Sequence, residues 1–63
     1  MNSQTDTIRQ NLVTLRDLRL RLGQLVTGEE YGVSSQYVGL VELWFDLLTE
    51  DAEEKLKEME DGR

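Results

Sequence analysis

The sequence predicts an all-α fold, an antiparallel helical hairpin that pairs with a second copy into a homodimeric four-helix bundle. Three observations carry that expectation. Apolar residues recur every three or four positions across two long segments, Ile8 to Leu25 and Val38 to Met59, the period of an amphipathic helix. Between them lies Thr27-Gly28-Glu29-Glu30-Tyr31-Gly32, whose glycines supply the backbone freedom that a chain reversal needs. The second segment is also apolar over more of its circumference than one facing helix can cover.

The first helix is expected to start near Thr5 or Asp6, since either side chain accepts bonds from the free N–H groups of a first turn. Ile8, Leu12, Leu15, Leu18, Leu22 and Leu25 form its core stripe. Asp17 and Arg21 lie one turn apart and should pair on the surface. Val13 and Leu20 fall on the opposite side, where a monomeric hairpin would carry polar residues. No proline forces a kink anywhere in the chain.

The second helix is expected to begin at Ser34, a good N-cap, and to run to about Glu60. Ser35, Gly39, Glu42, Asp46, Thr49, Glu50, Glu53, Lys57 and Glu60 share roughly 100° of arc at 100° per residue. One polar face held that long favours a single helix, with Thr49 as the place where a third, short C-terminal helix would otherwise begin. Val38, Val41, Phe45, Leu48, Ala52, Leu56 and Met59 make the opposing stripe. That stripe matches the first helix in length and is the expected seam of the hairpin.

Leu40, Leu43, Trp44 and Leu47 are left outside the seam. They form a second apolar patch confined to the first half of the helix, because the same face continues as Asp51, Glu54 and Glu58. A surface helix normally shows an apolar stripe nearer 100° than the roughly 220° found here. Fully burying four such side chains is worth on the order of 1.5–3 kcal/mol each before entropy costs. The expected cover is a second copy, with Leu40, Leu43, Trp44 and Leu47 at the interface and Val13 and Leu20 adding to it. Two other covers are a different protein, or Tyr31, Tyr37 and the loop folding back over the patch.

Size and composition point the same way. A chain of 63 residues buries only roughly 60% of its unfolded surface and is marginal by itself. With no cysteine there is neither a disulfide nor a thiolate metal site, and with no histidine the commonest metal ligand and general base are missing. Oligomerisation is the remaining staple. The chain reads as one helical domain, 1–63, with residues 1–4 and 61–63 expected to be mobile. The N-terminus lacks the basic and apolar regions of a signal peptide, and the stretch Tyr37–Leu48 is too short for a bilayer, so a cytoplasmic protein is expected.

Net charge is −6, divided unevenly: residues 1–26 carry +2 and residues 27–63 carry −8. The two halves should attract each other, while nucleic-acid phosphates and anionic lipid should be repelled. The expected role is a protein–protein interaction module: an adaptor, inhibitor or regulator without catalytic residues, metal or cofactor. Glu42 and Asp46 sit one turn apart as a magnesium-binding pair would. Helical nucleotide pyrophosphohydrolases resemble this in using carboxylates on paired helices, but with closer spacing and a second pair absent here.

Two alternatives have residues behind them. Gln24, Gly28, Gly32, Val33, Ser34 and Val38 are spaced in a way that resembles a helix-turn-helix over 24–43, which implies a transcriptional regulator. Its recognition positions, Ser35, Gln36, Gly39, Leu40 and Leu43, include no basic residue, whereas phosphate contacts normally come from Lys and Arg. The second alternative uses the acidic run over 50–61, chiefly Glu50, Asp51, Glu53, Glu54 and Glu58. That run resembles the small acidic inhibitors of phages, which imitate DNA and occupy a basic groove.

Overall fold

The computed structural model describes residues 3–61. Two helices account for most of them: α1, Ser3–Gly23, and α2, Ser35–Asp61. A 3₁₀ turn, Glu29–Tyr31, lies in the connection. The helices pack antiparallel, because Arg9 near the start of α1 meets Glu60 near the end of α2 while Arg19 meets Glu42. Ser3, Gln4 and Asp61 belong to the helices rather than to loose ends; the rest of that expectation, on residues 1, 2, 62 and 63, lies outside the described residues.

The connection is tighter than its sequence suggests. Gly28 takes φ 135° and Gly32 takes φ 74°, both in the region that side chains disfavour. Gly28 and Val33 face each other in a single antiparallel bridge, with the Gly28 N–H donating to the Val33 carbonyl at 2.6 Å. The 3₁₀ turn fits between them and closes on a Tyr31 N–H bond to the Gly28 carbonyl. The Ser34 carbonyl accepts from Val38 N–H at 3.0 Å, which makes Ser34 the residue flanking the first turn of α2, as expected.

The seam follows a heptad. On α1 the buried and half-buried positions are Thr5, Ile8, Leu12, Leu15, Arg19 and Leu22. On α2 they are Val38, Val41, Glu42, Phe45, Thr49, Ala52, Leu56 and Met59. Alternating steps of three and four average 3.5 residues, the spacing that keeps two helices in continuous contact. This corrects the sequence expectation in three places. Leu18 and Leu25 are exposed, and Arg19 takes the seam position beside Leu18. Leu48 is 52% exposed, and Thr49 takes the seam position instead. At Leu18 and Leu48 a pattern built from apolar residues alone chose the leucine, but the heptad runs through the neighbouring polar residue; Leu25 lies beyond the end of α1.

Thr49 does not start a new helix. Its hydroxyl donates to the Phe45 carbonyl four residues back at 2.8 Å, the bonding of a threonine inside a helix rather than at a cap. α2 is therefore continuous.

A two-helix hairpin has little interior. The described chain measures 53 × 16 × 11 Å, one helix thick. Leu12, at 6% exposure, is the only apolar side chain buried outright among the described residues. Leu12→Ala should remove about 2–4 kcal/mol and lower the midpoint of thermal unfolding by more than about 10 °C. Val13→Ala, next to it but exposed, should stay within about 0.5 kcal/mol of the parent. Circular-dichroism melts at matched concentration compare the two; equal shifts would refute a seam centred on Leu12.

Candidate functional site

The two flanks of the seam differ in chemistry, and the helical period decides which residues each receives. One flank is ionic. Arg9 pairs with Glu60, Arg16 with Glu53 at 2.9 Å, and Arg19 with Glu42 at 2.8 Å and Asp46 at 3.3 Å. The basic first half and the acidic second half thus meet across the hairpin, as the charge division predicts. Arg21 and Asp17 form the expected surface pair at 3.2 Å.

Glu42 and Asp46 are not a free polar stripe. The Arg19 guanidinium lies between them, and the Glu42 side chain is only 30% exposed. One positive charge thus faces two negative ones, and both carboxylates are engaged by the same guanidinium. Each exposed pair is worth about 0–1 kcal/mol, but a polar pair at a seam position also sets register, since slippage would leave Arg19 and Glu42 facing apolar side chains.

The other flank is apolar and uncovered. Ile8, Asn11, Thr14 and Leu15 of α1 and Leu48, Asp51, Ala52 and Lys55 of α2 line a groove of about 460 Å³. Ala52 makes it: a single methyl at a seam position leaves the helices without a large side chain between them. Leu48 also borders a second depression with Trp44, Leu47 and Asp51. Leu18 lies seven residues after Asn11, on the same row of α1. One continuous surface therefore runs from Trp44 and Leu47 across Leu48 into the groove.

Leu40, Leu43, Trp44 and Leu47 are all exposed, Trp44 at 62%. Tyr31 and Tyr37 are exposed as well, so the loop aromatics do not fold over the patch. Val13 and Leu20 are exposed too, but elsewhere. Val13 lines a groove with Arg9, Arg16, Glu53 and Glu60, on the ionic flank, and Leu20 lies seven residues further along the same row. The structure thus separates those two from Leu40, Leu43, Trp44 and Leu47. Leu18 and Leu48 join the patch in their place; the signal that would have found them is the heptad.

The acidic run divides in the same manner. Glu53 and Glu60 are held by Arg16 and Arg9. Glu50, Asp51, Glu54 and Glu58 point away from the seam and are exposed. As for the helix-turn-helix spacing, α1 ends at Gly23 and α2 begins at Ser35, so Gln24 to Ser34 is all connection, where that motif uses a turn of three or four residues between helices that cross steeply.

Among the described residues no helix is long and apolar enough to cross a membrane. The chain matches no known family model, no curated protein and no solved structure.

The ionic flank makes a direct test. Arg19→Glu places a third carboxylate against Glu42 and Asp46 and should cost on the order of 1–2 kcal/mol at low salt. Reversing the partners as well, with Glu42→Arg and Asp46→Arg, should recover most of it. The deficit of the single variant should narrow in 1 M salt, where the screening length falls to about 3 Å. Thermal melts at two ionic strengths read it out, and an Arg19→Glu melt unchanged from the parent would refute the clasp.

Proposed function

We propose that the protein is a small acidic helical interaction module, an adaptor, inhibitor or regulator, that works as a homodimeric four-helix bundle. The observation that carries this reading is the exposed apolar face formed by Leu18, Leu40, Trp44, Leu47 and Leu48, with Leu43 at its edge. Six large side chains each showing about half of a surface near 200 Å² amount to roughly 600 Å² per copy. Doubled across a symmetric contact, that reaches the ~1,200 Å² at which stable interfaces begin. A hairpin one helix thick also needs a further layer to bury its leucines, and a second identical face supplies one.

Leu43→Glu with Leu47→Glu tests the reading. The pair adds four carboxylates to the contact in a dimer, and unpaired charge there costs several kcal/mol per ion. The variant should sediment as a monomer with much reduced helicity. The parent should melt at a higher temperature as its concentration rises, as mass action requires. A stable, helical variant of unchanged mass would exclude this face as the interface.

The exposed carboxylates Glu50, Asp51, Glu54 and Glu58 favour a second reading, in which the acidic back of α2 occupies a basic, nucleic-acid-binding groove on another protein. Replacing all four by Gln or Asn should leave the fold intact, because none of them holds the seam. The replacement should abolish any inhibition of a host nucleic-acid enzyme, and inhibition that survives it would exclude mimicry through this run.

A further inference from the structure

The exposed apolar face carries both a knob and a hole. Trp44 is its largest protruding side chain, 62% exposed. The groove floored by Leu15, Leu48 and Ala52 begins on the far side of Leu48, and its α2 wall runs on to Lys55. The middle of that wall lies about seven residues beyond Trp44, roughly 10 Å along the helix axis. A tryptophan cannot turn into a groove that far along its own helix. It can reach the same groove on another copy.

We propose that two copies pack about a dyad perpendicular to the helix axes, with Trp44 of each seated in the Ile8–Leu15–Leu48–Ala52 groove of the other. The seat rests on the homodimer proposed above and specifies its geometry. A twofold axis passing near Leu47 and Leu48 exchanges the two ends of α2, so each knob meets a hole and both contacts form together. A dyad running along the helices keeps every residue at the height of its counterpart. Trp44 then meets Trp44, groove meets groove, and neither groove is filled.

Charge selects the same arrangement. Glu50, Asp51, Glu54 and Glu58 lie on the second half of α2, next to the apolar face. A dyad along the helices brings both sets of four carboxylates to the same height, which like-charge repulsion opposes. The perpendicular dyad carries the two sets to opposite ends. Glu58 then comes level with the partner's Tyr37, beside the first turn of the partner's α2, where the unpaired N–H groups favour negative charge. At the groove itself, Asp51 stands on the rim, where its carboxylate can accept the indole N–H that burial of a tryptophan would otherwise strand.

The sequence makes the test clean, since Trp44 is the only tryptophan and there is no cysteine. Sedimentation equilibrium gives the dimer Kd for the parent, for Asn11→Glu in the groove mouth, and for Val13→Glu on the ionic flank; circular dichroism checks the fold of each. The expected result is at least a tenfold rise in Kd for Asn11→Glu and less than a twofold change for Val13→Glu, with parent tryptophan emission shifting to the red as the dimer is diluted apart. Spin labels on Glu58→Cys should lie roughly 30 Å apart in the dimer at 1.5 Å of rise per residue. A dimer with labels within about 20 Å, or one whose Kd ignores Asn11→Glu, overturns the seat and leaves the dimer standing. A parent that stays monomeric at every concentration overturns both, and assigns the face to a different protein.

Discussion

Everything in this hairpin follows from a seam that is one side chain deep. Two helices in contact can bury one heptad stripe each, and no third element lies behind either of them. The stripe is fixed by the 3.5-residue period rather than by which side chains are apolar. It therefore passes through Thr5, Arg19, Glu42 and Thr49 and leaves Leu18 and Leu48 outside. A purely apolar seam could slide by a turn at small cost. Arg19, held between Glu42 and Asp46, cannot slide without losing both partners. The polar pair thus gives up some burial and supplies a defined register.

That register produces the two-sided character of the molecule. With Arg9, Arg16 and Arg19 each opposite an acid of α2, the cations of one flank are paired within the chain. Leu47 and Leu48, excluded from the seam, lie on the other flank, around Trp44 and the groove over Ala52. A monomeric helical hairpin usually presents its polar residues outward on every side. Here an exposed apolar surface runs along one flank from Trp44 into the groove, while Val13 and Leu20 stand exposed on the ionic side.

The exposed apolar face was partly legible in the residues themselves. Leu40, Leu43, Trp44 and Leu47 stand out because the seam to α1 could not reach them at 100° per residue, and they are exposed as that reasoning requires. Val13 and Leu20 are also exposed, but angular position on one helix does not say on which flank of a hairpin it will fall. That depends on how α1 is rotated against α2, and Val13 ends beside Arg16 and Glu53. The groove was not legible at all. It needs Ala52 to sit at the same height as Leu15 in the packed pair, and such a coincidence exists only once the register is set.

The sequence by itself determined the helical class, the two long segments, the reversal at Gly28 and Gly32, the attraction between the halves and the surplus of apolar surface on α2. Each of these is a local property, set by periodicity, backbone freedom or the count of charges along the chain. The tertiary structure decided which polar residues enter the seam, that Leu18 and Leu48 leave it, which acids pair with which arginines, and that the surplus lies opposite the ionic flank. Those outcomes depend on the relative rotation and register of two helices. No single helix carries that information, because it arises only when the side chains of two cylinders must share one narrow line of contact.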